Sequence, residues 1–214
     1  VGGRWRFSRR DVETWLRERQ ESPLDELPVA PSPNVLPLET IQSIQAIFAE
    51  GLGVGAVVTR LDGRPLTQVS NSCRFCQIVR STPEGLQACI ASWRSLAGQS
   101  ERRPKLVPCH AGLLYARSRI EVEDDFVAMV FAGEFLVGEQ RRELEARLPA
   151  VAAAAQVEAA ELRESLATLH ELSAGRVDRL MDLLARLGAA LSVIGRERLL
   201  LLRKLRQIAE VSTL

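Results

Sequence analysis

The 214-residue sequence predicts an α+β fold, an antiparallel sheet with flanking helices and one long C-terminal helix. Three observations carry that expectation. Between Leu38 and Phe48 the apolar residues Ile41, Ile44, Ile47 and Phe48 recur at helical spacing. Two long apolar runs, Gly112–Val122 and Phe126–Leu136, are joined through Glu123-Asp124-Asp125, as antiparallel neighbours are. From Arg176 onward the leucines step by alternating fours and threes, a single long helix.

Composition sets outer limits on function. With 46% hydrophobic and 26% charged residues the chain is an ordinary globular one, large enough for a sizeable core. A formal net charge of +1 argues against a nucleic-acid surface spread over the whole molecule. No signal segment and no apolar run of membrane-spanning length is present, so a soluble cytoplasmic protein without membrane contact is expected.

The N-terminal stretch, residues 1–20, is locally basic, with Arg4, Arg6, Arg9, Arg10, Arg17 and Arg19 against Asp11, Glu13 and Glu18. Gly2-Gly3-Arg4-Trp5-Arg6-Phe7 alternates like a short strand. Ser8 is a good N-cap for a helix presenting Val12, Trp15 and Leu16. This stretch resembles the wing and last helix of small excisionase-type, MerR-like winged helix-turn-helix domains. The recognition helix of that family precedes the wing. Residues 1–20 are therefore expected to be the remnant of a DNA-binding domain, with DNA contacted only through a part that lies before them. Pro23, Pro28, Pro31, Pro33 and Pro37 then make residues 21–37 an extended linker.

A second domain is expected over residues 38–172. Its first helix stops at Gly51 and Gly53; Val54–Thr59 is a strand, and Asp62-Gly63 turns it into a second arm, Pro65–Val69. Ser81-Thr82-Pro83-Glu84 opens another helix with Thr82 as N-cap and Pro83 at its first position. Lys105–Cys109 is a strand before the two long ones, and residues 139–148 and 156–172 are helical. Helix, hairpin, connecting helices and long antiparallel strands describe a PAS-like sheet.

All four cysteines lie inside this domain, as Cys73-x2-Cys76, Cys89 and Cys109. Thiols in a reducing compartment do not form two structural disulfides. Buried inert cysteines, a thiol redox switch and a metal site built from thiolates remain. A Cys-x2-Cys pair brings two sulfurs to one metal from a single turn, and two more complete a zinc site or the corners of an iron–sulfur cluster. The expected ligands are Cys73, Cys76, Cys89 and Cys109, with the metal undecided between zinc and iron–sulfur. Cys89 and Trp93 sit four apart on one helix face, whereas His110 follows Cys109 on what reads as a strand and so faces the other way.

Leu61-Asp62-Gly63-Arg64-Pro65-Leu66-Thr67, Cys73-Arg74-Phe75-Cys76, Ser81-Thr82-Pro83-Glu84-Gly85, Cys89 and Cys109-His110-Ala111-Gly112-Leu113 together resemble the PocR sensory domain family. The resemblance implies a PAS-like ligand-binding module of bacterial transcription regulators and sensor kinases, with small hydrocarbon derivatives such as short diols as its ligands. It carries the family's cysteines onto Cys73, Cys76, Cys89 and Cys109, and its Cys-His motif onto Cys109 and His110. Small-ligand sites are mostly apolar with a few polar groups, so Phe75, Trp93, Tyr115 and Phe131 are expected to line a pocket, with His110 and Glu134 as polar contacts.

No enzyme is expected. The sequence has two histidines, no phosphate-binding Gly-rich loop and no nucleophile elbow, and Cys109 beside His110 on a strand is a poor nucleophile–base pair. The last segment, residues 176–214, reads as a dimerising signalling helix. Leu180, Leu187, Ile194, Leu201 and Ile208 take one seam position and Leu184, Leu191, Arg198 and Leu205 the other, with Gly188 and Gly195 off the seam. The expected partners are a second copy of the chain in a parallel coiled coil, a small organic ligand and a downstream signalling module. The alternative is a zinc-stapled dimerisation module without a small ligand.

Overall fold

The computed structural model describes residues 30–212 apart from 100 and 102. The winged-helix remnant and most of the linker lie outside the described residues. Eleven regular elements follow: α1 Leu38–Leu52, β1 Gly55–Thr59, α2 Arg74–Val79, α3 Pro83–Ser95, β2 Val107–Pro108, β3 Leu114–Val122, β4 Asp125–Leu136, α4 Gln140–Ala155, α5 Ala159–Ser165, β5 His170–Glu171 and α6 Ala174–Ser212. The sheet runs in the order β1-β4-β3-β2, all antiparallel, and β5 adds in parallel to the end of β4.

Each face of the sheet has its own core. Alternation along the strands sends Val58, Ala116, Ile120, Val130 and Ala132 to the face covered by α6 and α1. Val57, Tyr115, Met129 and Phe131 go to the other face, against Trp93 and Leu96 of the α3 region. A third cluster joins α2, α4 and α5 through Phe75, Ile78, Leu144, Leu148 and Leu162. The core begins before α1, since Val35 and Leu36 of the expected linker are buried in it.

Several expectations change. The second arm of the first hairpin meets β1 only at the isolated bridges Thr59–Pro65 and Ala56–Ser70. Fully buried Gln45 holds it instead, donating to the Gln68 carbonyl at 2.8 Å and to Ser70 Oγ at 2.8 Å and accepting from Thr67 Oγ1 at 2.6 Å. Helix α4 continues through the alanine run and ends at Gln156 in the left-handed region. The expected helix over residues 156–172 shrinks to α5, because β4 outruns β1 and its open edge at Phe135 and Leu136 captures β5.

The long helix forms, but its proximal half serves the chain itself. Leu180, Leu184, Leu187 and Leu191 are buried on the sheet at 0–7% exposure. The buried stripe continues through Gly188, Gly195 and Leu199, while Arg198 is exposed. A Cβ added at Gly188 would lie 2.3 Å from Ser118 Oγ, and one at Gly195 2.6 Å from Val122 Cγ2, so the glycines set aside from the seam are where helix and sheet approach closest. A straight helix drifts against a heptad frame, which moves the contact off Arg198 and Leu201 and leaves Ile194 at its margin. Leu201, Leu205 and Ile208 are 54–62% exposed at the distal end. Among the described residues no helix is long and apolar enough to cross a membrane.

Candidate functional site

The cavity lies between the sheet face that meets the α3 region, α2, α3 itself and the turn after β2. Helix α3 starts as its residues dictate: Thr82 Oγ1 accepts from the Gly85 amide at 3.1 Å and Pro83 takes the first position. One face of α3 then delivers Cys89, Ser92 and Trp93 to the cavity. Trp93 and Phe131 stand 6.2 Å apart, Tyr115 and Phe131 5.7 Å, as tilted ring pairs. The Tyr115 hydroxyl donates to the Ser92 carbonyl at 2.7 Å.

Residues 109–112 form a tight turn rather than part of a strand, which corrects the expected orientation of His110. The Gly112 amide donates to the Cys109 carbonyl at 3.0 Å, and Gly112 takes φ +92°, a conformation that favours glycine. Strand alternation does not apply in a turn. Cys109 and His110 therefore both line the cavity, and His110 Nε2 lies 3.3 Å from Cys89 Sγ.

The polar wall is built by Glu134 and Arg80. Glu134 sits near the end of β4 at φ +70°, beside a register shift between Leu114 and Tyr115. Such bulges re-aim a side chain. Its carboxylate fills the space that a side chain at Gly55 would occupy, 2.5–2.8 Å from the position of a Cβ there. Glu134 Oε1 accepts from Arg80 at 2.8 Å and from Ser72 Oγ at 3.3 Å, and Oε2 accepts from the Cys73 amide at 2.7 Å. Both charged side chains are largely buried, at 13% and 12% exposure, and Arg80 also donates to Ser72 Oγ. Burial is the largest single influence and works against the Arg80 cation, but the charge and hydrogen bond of Glu134, together with the neighbouring Cys76 and Cys89, raise the guanidinium pKa.

Cys76, Cys89 and Cys109 line this cavity, and so do Trp93, His110, Tyr115, Phe131 and Glu134. Cys73 stands behind the wall, in a group with Cys76 and Glu134 whose ligand atoms all lie within 4.8 Å of one another. Among the described residues the tightest grouping is Cys73 and Cys76 with Glu134, while Cys89 lies against His110 and near Arg80 and Cys109. Phe75 is not at the cavity: fully buried, it packs with Leu144, Leu148 and Leu162, because its neighbour Cys76 takes the inward face of the short helix. Sequence reasoning missed Arg80, Ser72 and Ser92. The one available signal was a charge, Arg80, closing the apolar run Ile78-Val79.

Cys76, Cys89 and Cys109 are held as neutral thiols. Hydrogen bonding to Cys73, then burial, pushes Cys76 well above the ordinary thiol range. Burial pushes Cys89 up to about 12 and raises Cys109, and it lowers the imidazole of His110, with the Arg147 charge adding to that. The cavity measures about 50 Å³. One water needs about 10–15 Å³ by this measure, so a molecule of a few heavy atoms fits.

The family described as the sensory domain found in PocR matches residues 34–196, most of the chain. Regulatory protein PocR of Salmonella typhimurium is 29% identical over 105 residues, covering 48% of this chain and 35% of that protein. The aligned part is thus about a third of that relative's length. No solved structure matches the chain.

Proposed function

The chain belongs to the PocR sensory domain family, and on that premise we propose that it is the signal-receiving module of a bacterial regulatory protein. The signal reaches the cysteine-lined cavity as a metal centre held by thiolates drawn from Cys73, Cys76, Cys89 and Cys109, as a small organic ligand, or as both. One observation carries this reading: three of the four cysteines meet an aromatic wall and a buried ion pair around a single cavity. Thiolates suit zinc or an iron–sulfur cluster, and the apolar wall suits a short carbon chain. The module is not catalytic. Cys89 and His110 are in contact but both uncharged, so no thiolate nucleophile is prepared.

The output runs through β4 and α6. Glu134 is followed by Phe135 and Leu136, which pair with β5, and α6 begins just after it. A change at the carboxylate reaches the root of the long helix within a few residues. The distal, exposed leucines of α6 then serve a homodimer and a downstream transcriptional or histidine-kinase module in the cytoplasm, with any DNA contact made by the N-terminal part. The chain purified without oxygen, with elemental analysis and absorbance, tests the reading. A broad visible band that bleaches in air identifies an iron–sulfur sensor, and colourless protein with one zinc identifies a zinc centre. Metal-free protein that no short-chain alcohol stabilises against heat would refute it.

The second reading, a zinc-stapled interaction module without a small ligand, is favoured by the close grouping of Cys73, Cys76 and Glu134. One zinc per chain together with no response to small ligands supports it.

A further inference from the structure

We propose that a single divalent ion of the zinc class is held by Cys73, Cys76 and Glu134, with its fourth coordination position open to the aromatic cavity. The proposal rests on the cavity being the signal site and specifies its donor set. Cys73, Cys76 and Glu134 are the group of potential ligands among the described residues whose donor atoms all lie within 4.8 Å of one another. Cys76 and Glu134 line the cavity and Cys73 does not, so the three donors form a cup set into the wall and opening inward.

The carboxylate is already positioned as a ligand's carboxylate is. Arg80 and Ser72 hold Oε1, and the Cys73 amide holds one lone-pair direction of Oε2, which leaves the second for an ion. Outer partners of this kind fix a ligand's orientation in metal sites. The close approach of the carboxylate to Gly55 keeps it there.

Charge selects this set over four thiolates. Two thiolates and one carboxylate are balanced by a divalent ion and the Arg80 guanidinium, so the loaded site is neutral. Four thiolates around the same ion, next to the intact Arg80–Glu134 pair, leave two negative charges uncompensated in a buried region. Cys89 and Cys109 then remain thiols lining the cavity with His110. Three protein donors and an open position characterise zinc sites that take an exogenous molecule, whereas closed four-donor sites are structural. The guest at the open position is a small neutral molecule with an oxygen or thiol donor and a short apolar tail, lying against Trp93, Tyr115 and Phe131.

Cobalt(II) titrated into the chelator-treated, reduced chain tests this, because its thiolate charge-transfer absorbance counts sulfurs. The expected result is one ion per chain with two thiolates. Cys73→Ser, Cys76→Ser and Glu134→Gln should each weaken binding by more than the about 10- to 100-fold that loss of an outer partner costs. Cys89→Ser and Cys109→Ser should leave it unchanged, and added mercaptoethanol should introduce a further band by occupying the open position. Loss on Cys89→Ser or Cys109→Ser with Glu134→Gln still binding would overturn the proposal in favour of a four-thiolate centre and leave the sensor reading intact. No cobalt bound by the unmutated chain would overturn the proposal together with the metal part of that reading. Should Glu134→Gln fail to fold, the unmutated chain decides: a four-thiolate spectrum, or one indifferent to mercaptoethanol, sinks the proposal.

Discussion

Replacing Arg80 by methionine strands the Glu134 carboxylate at a position where its side chain is only 12% exposed. Removing one partner of a buried pair costs about 3–5 kcal/mol, because the remaining charge loses its counter-ion without regaining water. Here the loss is smaller. The Cys73 amide and the Ser72 hydroxyl still donate to the carboxylate, and hydrogen bonds to a charged group retain about 1.5–3 kcal/mol each. Arg80→Met should therefore cost about 2–3 kcal/mol. For a domain of this size that lowers the melting temperature by roughly 4–12 °C. Glu134→Gln alone strands Arg80 and should cost a similar amount, while the double variant removes both charges and should cost less than the sum of the two by about 2 kcal/mol. Urea denaturation of the metal-free chain at neutral pH measures all three. An Arg80→Met cost below about 1 kcal/mol with additive single variants is the behaviour of an exposed pair, and would refute the burial argument.

The Cys89 thiol makes stability pH-dependent in a definite direction. Its folded-state pKa is raised from 9.0 to about 12, so the folded chain holds this proton more tightly than the unfolded one. Its contribution is intact below pH 9 and should be lost as pH rises from there toward 12. The slope is up to about 1.4 kcal/mol per pH unit for one proton, and Cys89→Ser should flatten it. Two helical glycines, one in open space on α1 and one at the α6–sheet contact, predict opposite signs on substitution, followed by thermal melting. Gly51→Ala, with nothing within 4 Å of the added Cβ, should stabilise by up to about 1 kcal/mol through helix propensity. Gly188→Ala, whose Cβ meets Ser118 Oγ at 2.3 Å and the Arg119 carbonyl at 2.8 Å, should destabilise, since overpacking of about 1–3 kcal/mol exceeds that gain. Leu201→Asp with Leu205→Asp should weaken self-association in sedimentation and make the melting temperature independent of chain concentration, because both leucines are more than half exposed in the single chain.

Local rules made part of this protein readable. Thr82 and Pro83 announced the start of α3, and the four-residue spacing of Cys89 and Trp93 placed both on the face that meets the cavity. The antiparallel pairing of β3 and β4 followed from their apolar runs and the acidic turn between them. The misses share a cause, in that each depended on a tertiary neighbour. His110 was assigned by strand alternation, but the turn at Cys109–Gly112 replaced the strand. Leu180–Leu191 fitted a heptad seam and a sheet-facing stripe equally well over about three turns, and only the two glycines, read as close contacts rather than gaps, separate the two. Glu134 was legible as a polar residue in an apolar strand. Its partner Arg80 lies 54 positions earlier, and no periodicity links residues so far apart.

The relay from cavity to helix is tested most directly by hydrogen–deuterium exchange of the full chain with and without added zinc. Loading the site should slow exchange at β4 and β5 and alter it in the first turns of α6, through the pairing of Phe135 and Leu136 with His170 and Glu171. A change confined to α2 and the residues around Cys73 and Cys76, with β5 and α6 unmoved, would mean that the centre is a local staple and that the chain reports nothing to its helix.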